Sequence, residues 1–103
     1  PIAGLSPAEA AAREAWEEAG AKGKMAEQAL GFFTYDKVLD RASDPVALPC
    51  IVAVFPLRVT RRGKVFPEMR ERRVKWFPLD RAAQKVDEPE LQRLIAGFTP
   101  VGA

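Results

Sequence analysis

The chain has 103 residues, 48% of them hydrophobic and 29% charged, with a formal net charge of +2. That length allows one domain, and that balance excludes disorder, collagen-like repeats and, since no apolar run exceeds residues 49–57, a membrane helix of roughly 20 residues. With no histidine and one cysteine, Cys50, the chain excludes internal disulfides, the usual zinc sites and histidine-activated nucleophiles, and it fits a reducing, cytoplasmic compartment.

In chain order, Ser6 followed three residues later by Glu9 reads as a capping box, with Pro7 at the first helical position. The strong helix formers after it predict a helix over 7–19, with Gly20 and Gly23 as stops. Residues 28–38 read as a strand and 40–49 as a loop, with Ser43, Asp44 and Pro45 as turn residues. The β-branched, apolar stretch 50–60 predicts a central strand, with Pro56 marking a bulge or an edge near its end. Residues 61–64 give a turn signal, and 71–77 read as a strand with Val74 and Trp76 on one side. Pro78-Leu79-Asp80 opens a short helix to about Val86, and Glu88-Pro89-Glu90 opens another to about Ala96. Trp16, Trp76 and Phe77 are expected in the core, and Cys50 as a buried, inert thiol. The mixture without regular alternation indicates an α+β or mixed-sheet layered fold. Because a helix signal appears within six residues of Pro1, an N-terminal segment is expected to precede this chain.

Charge is unevenly spread. Residues 1–20 carry Glu9, Glu14, Glu17 and Glu18 against Arg13 alone. Residues 58–75 carry Arg58, Arg61, Arg62, Lys64, Arg70, Arg72, Arg73 and Lys75 against Glu68 and Glu71. The second segment suggests an anionic partner; a solvated, charge-rich hairpin is the ordinary alternative.

On the first helix, Glu14, Glu17 and Glu18 fall within an arc of roughly 100°, apart from the arc of Ala8, Ala12, Ala15, Trp16 and Ala19. Like charges at these spacings repel, and the helix C-terminus disfavours Glu17 and Glu18. Arg13 offsets part of this. A hard divalent cation, Mg²⁺ or Mn²⁺, would offset the rest. A solvated acidic face is the alternative.

Residues 13–21 read Arg-Glu-Ala-Trp-Glu-Glu-Ala-Gly-Ala. They resemble the core of the Nudix box, G-x5-E-x7-R-E-U-x-E-E-x-G-U with U aliphatic. Arg13, Glu14, Glu17, Glu18 and Gly20 match its fixed letters, and Gly4-Leu5-Ser6-Pro7 resembles the turn entering its helix. Leu5 stands where the pattern has its first glutamate, and the leading glycine would lie before Pro1. Tyr35-Asp36-Lys37, Val54-Phe55-Pro56-Leu57, Pro67-Glu68, Trp76-Phe77 and Glu88-Pro89-Glu90-Leu91 extend the resemblance over the whole chain. They point to a bacterial branch similar to the diphosphoinositol polyphosphate phosphohydrolases.

The resemblance implies one partial Nudix domain over 1–103, an α/β/α sandwich with a mixed sheet and its early N-terminal strands outside the chain. It implies hydrolysis of a diphosphate linkage in a nucleoside diphosphate derivative, a dinucleoside polyphosphate or an inositol pyrophosphate. Glu14, Glu17 and Glu18 would hold Mg²⁺ or Mn²⁺, Glu14 would also serve as a base, and Arg13 would orient the glutamates. Glu68 and Glu71 are candidates for an additional catalytic carboxylate, with Glu68 preferred because Pro67 places it in a loop. Lys37, Arg61, Arg62, Lys64 and Arg70 are candidates for the substrate's phosphates. The partner implied is a small diphosphate molecule, with no membrane role and a homodimer possible. Two alternatives stand: a non-catalytic phosphate-binding module of the same fold, and a nucleic-acid binder using residues 58–75.

Overall fold

The computed structural model describes residues 4–41 and 44–100. They fall into two units, one formed by the chain up to Leu30 with Phe55–Trp76, the other by Gly31–Val54 with the chain from Phe77 onward.

The first unit opens with α1 (Pro7–Ala19). Its N-terminus is closed by the expected capping box. The Glu9 amide donates to Ser6 Oγ at 3.1 Å, and the Ser6 amide donates to Glu9 Oε1 at 2.9 Å. Those contacts favour the charged form, so the Glu9 carboxyl is held below its usual value, first by the Ser6 amide and then by the Ser6 hydroxyl. Gly20 ends the helix at φ 66°, a left-handed conformation that glycine adopts without Cβ strain. A Cβ there would also run into the Gly63 carbonyl and the Phe66 ring.

The chain then enters β1 (Ala21–Met25), a strand the sequence reading missed by treating Gly23 as a second helix stop. β1 pairs antiparallel with β4 (Leu57–Arg62). The register shifts between Lys22 and Gly23, where the Arg58 carbonyl approaches too closely for any side chain. Glycine is therefore required by backbone approach rather than by helix termination.

In the second unit, β2 (Gly31–Arg41) pairs antiparallel with β3 (Asp44–Val54), from Gly31 opposite Val54 to Arg41 opposite Asp44. The expected loop over 40–49 is therefore mostly strand; Ser43 lies outside the described residues, and Asp44 and Pro45 begin β3. β3 is an edge of its two-stranded sheet, the kind of strand to which prolines such as Pro45 and Pro49 are confined. The long strand expected over 50–60 ends at Val54, and Pro56 separates it from β4, which pairs in the other unit. Arg61 and Arg62, expected in a turn, end β4. No strand forms over 71–77: Val74 and Trp76 remain exposed, so their alternation has no buried face to serve. Helices α2 (Leu79–Lys85) and α3 (Pro89–Ala96) lie where expected.

The α+β class holds, and both described sheets are antiparallel. The buried apolar side chains among the described residues are all alanines, Ala8, Ala21 and Ala83. Trp16, Phe77 and Cys50 are half-buried, and Trp76 is exposed, against the core placement expected for them. No helix among the described residues is long and apolar enough to cross a membrane.

Candidate functional site

The carboxylates of interest lie in the first unit, at the C-terminal half of α1. Glu14 is exposed, while Glu17 and Glu18 are half-buried in the last turn. That turn contains no basic residue, so the helix's own end leaves their charge uncompensated. Arg13 lies one turn back, its Nε 3.6 Å from Glu17 Oε2.

The chain returns to this end of α1 after β4. The Gly63 amide donates to the Gly20 carbonyl at 2.7 Å, and the Glu68 amide donates to the Glu17 carbonyl at 2.9 Å. The second bond satisfies a carbonyl that the ending helix leaves open, and it pins the backbone of Glu68 to that of Glu17. The turn continues with the Glu71 amide donating to the Glu68 carbonyl at 3.0 Å. Glu71 itself is exposed.

Arg72 completes the arrangement. Its Nη2 lies 2.7 Å from Glu18 Oε1, and its Nε donates to Glu68 Oε1 at 3.1 Å. One guanidinium thus bridges a helix carboxylate and a loop carboxylate. The Arg72 pKa is raised, first by the hydrogen bond to Glu68 and then by the charge of Glu18. The sequence reading counted Arg72 among the bases but did not nominate it. The four-residue spacing from Glu68 was an available signal.

The candidate phosphate-binding cations are dispersed. Arg70 is exposed in the turn that carries Glu68, and Lys64 directly follows Gly63. Arg61 lies opposite Lys22 on the β1–β4 ribbon. Arg62 stacks over Trp76, 4.9 Å from the ring centre. Lys37 belongs to the second unit, on β2 opposite Leu48.

Among the described residues, no three acidic, histidine or cysteine side chains converge into a group able to hold a metal ion. Glu17 and Glu18 are instead turned onto arginines. The donor set still suits a hard divalent cation: all its ligating atoms are carboxylate oxygens, and a cationic guanidinium already sits between Glu18 and Glu68.

The NUDIX domain family matches this chain over residues 3–98. Nudix hydrolase 12, mitochondrial, of Arabidopsis thaliana is 32% identical over 93 residues, which are 90% of this chain and 46% of that protein. The chain therefore spans about half the length of this curated relative. No solved structure matches it.

Proposed function

The chain belongs to the Nudix family, and we propose that it carries the catalytic carboxylates of a metal-dependent pyrophosphohydrolase. The observation that carries this reading is the meeting of Glu17, Glu18, Glu68 and Arg72 at the end of α1.

Glu17 and Glu18 are the principal ligands of Mg²⁺ or Mn²⁺, with Glu14 a further ligand or the base that takes a proton from the attacking water. The bound ion supplies Lewis-acid polarisation of bridging phosphate oxygens and a more acidic water. Arg13 limits the rotamers of Glu17 through their ion pair. Glu68, held by its backbone against Glu17, is better placed than Glu71 to add a carboxylate. Arg70 and Lys64, on the segment fastened to the end of α1, are the best placed cations for the substrate's phosphates. Positioning and charge neutralisation then provide most of the acceleration. The substrate is a diphosphate-linked nucleotide derivative, a dinucleoside polyphosphate or an inositol pyrophosphate, hydrolysed in a reducing, cytoplasmic compartment. Residues 1–103 act as one Nudix domain.

The test is hydrolysis of a panel of these substrates, read as release of the phosphorylated fragments or inorganic phosphate by ion chromatography, with Mg²⁺, with Mn²⁺ and with chelator, alongside a Glu17→Gln control. Release that requires the metal and disappears in the control supports the reading. A folded chain that binds Mn²⁺ and cleaves none of these substrates overturns it in favour of a phosphate-binding module.

A further inference from the structure

The β1–β4 ribbon places four cations on one face. Its register sets Lys22 opposite Arg61 and Lys24 opposite Arg58. These positions are exposed, whereas Ala21, Met25, Leu57 and Val59 on the alternate face are buried or half-buried. Cross-strand neighbours stand about 5 Å apart; Lys22 and Lys24 are two residues, about 7 Å, apart on β1, and Arg58 and Arg61 are three residues, at most about 10 Å, apart on β4 across the register shift. Like charges directly opposite each other destabilise a two-stranded ribbon. Here two such pairs follow in succession, and none of the four side chains has an ion-pair partner among the described residues. The arrangement works against the fold's stability, which is what a surface shaped for an anion does when the anion is absent.

A recess lies at one end of this face. A cavity of about 210 Å³ is lined by Trp16, Lys22, Arg61 and Gly63, with the Lys22 ammonium 4.3 Å from the centre of the Trp16 ring. Trp16 belongs to the apolar arc of α1, on the other side of the helix from Glu14, Glu17 and Glu18. The recess and the carboxylates are therefore separate features of one unit.

We propose that this face is a second anion site, which takes a compact polyphosphate through Lys22, Lys24, Arg58 and Arg61. A terminal phosphate enters the recess between Lys22 and Arg61, and the following phosphates meet Lys24 and Arg58. The chemistry favours a polyphosphate over a nucleic acid. Neither β1 nor β4 contains an aromatic residue, and Trp16 in the recess is half-buried with the Lys22 ammonium over its ring, so the basic face offers cations for phosphates and no open row of rings on which successive bases could stack. The four charges also form a short cluster rather than a long track. The site needs no metal and does not depend on the hydrolase reading.

The experiment is titration of the chain with inorganic tripolyphosphate in the presence of EDTA, followed by calorimetry and by amide NMR shifts. The expected result is saturable binding with shifts centred on Lys22, Lys24, Arg58 and Arg61. Lys22→Gln with Arg61→Gln, and separately Lys24→Gln with Arg58→Gln, should each weaken binding by about tenfold or more. Lys24→Gln with Arg58→Gln relieves repulsion and should melt no lower than the parent, and circular dichroism should show Lys22→Gln with Arg61→Gln, which also gives up the Lys22–Trp16 contact, still folded, which separates lost binding from lost fold. Glu17→Gln should bind tripolyphosphate as the parent does, so a failed hydrolase reading leaves this result untouched. Equal loss from Arg73→Gln with Lys75→Gln, two exposed cations outside both sites, would overturn the proposal by reducing it to general attraction by net charge. Tighter binding of a single-stranded oligonucleotide than of tripolyphosphate would overturn it in favour of a nucleic-acid surface, and absence of binding would overturn it outright.

Discussion

Glu18 and Glu90 are half-buried glutamates held by opposite kinds of partner. Glu18 faces a side chain, the Arg72 guanidinium at 2.7 Å. Glu90 faces backbone and hydroxyl in the second unit: a single oxygen, Oε1, accepts from the Thr34 amide and from Thr34 Oγ1, each at 3.0 Å. The first contact can be given up cheaply. Arg72 and Glu18 are 50% and 36% exposed, so water screens the pair and re-solvates either member that leaves. The second is held more firmly, because a carboxylate that leaves Thr34 gives up two donors at once, a backbone amide and a hydroxyl, each bonded to a charged oxygen. Chemically identical side chains thus separate into one available for a ligand and one committed to the fold. Within α1 the same division recurs, Glu9 being committed to the capping box while Glu17 and Glu18 at the other end answer only to arginines.

The strongest way to break this comparison is Glu17→Gln. If the carboxylates at the end of α1 are the available class, metal-dependent hydrolysis should fall by at least about a hundredfold, the order of effect expected when a ligand of a catalytic ion is lost. Helix content by circular dichroism should not change, because no described contact of the fold uses that charge except Arg13. A variant that keeps most of its activity would place Glu17 with the solvated surface.

Glu68 and Glu71 sharpen the comparison at a smaller scale. Glu68 is fastened to Glu17 through its backbone and shares Arg72 with Glu18, whereas Glu71 is exposed and joins only the turn. Glu68→Gln should lower the rate by about tenfold, and Glu71→Gln should stay within about twofold, read as kcat at saturating Mg²⁺. The reverse order would mean that the turn reorganises when substrate binds.

Arg72→Gln tests availability itself. Removing the guanidinium frees Glu18 and Glu68, so Mn²⁺ should bind about threefold tighter in a titration followed by electron paramagnetic resonance. Weaker binding would show that Arg72 positions the carboxylates for the ion rather than competing with it.

These residues were not equally legible in the sequence. The helix, its capping box and its glycine stop follow from local chemistry, in which every partner lies within four or five residues. The carboxylate arc was legible for the same reason. Arg72 and the Glu68–Glu17 backbone bond were not, because they join positions about fifty residues apart and depend on where β4 returns the chain. β1 was hidden by Gly23, whose small size reads locally as a helix stop and serves in three dimensions to admit the Arg58 carbonyl. Lys22 and Lys24 were overlooked with it, since a basic pair becomes a basic cluster only after the ribbon is formed. The strand expected over 71–77 failed in the opposite direction. Its alternation is real, but nothing buries Val74 and Trp76, and Arg72 is drawn to Glu18 and Glu68 instead.

The smallest expected effect concerns the committed member of the pair. The Thr34 amide, and then its hydroxyl, favour the ionised form of Glu90 and hold its carboxyl below the usual value. A carboxyl depressed by folding contributes stability above its unfolded pKa of about 4.3, and that contribution is lost as the pH falls through the folded value. The Thr34 amide resonance should therefore hold steady down to about pH 4.3 and move only below it. In Glu90→Gln the amide oxygen can still accept from Thr34 but carries no proton equilibrium, so the inflection should vanish while the hairpin persists. Glu9 titrates in the same range through Ser6, which makes a global melting curve ambiguous and the Thr34 resonance the necessary probe. If the Thr34 inflection survives in Glu90→Gln, Glu90 is not what holds the edge of β2, and the division between committed and available glutamates fails at its committed end.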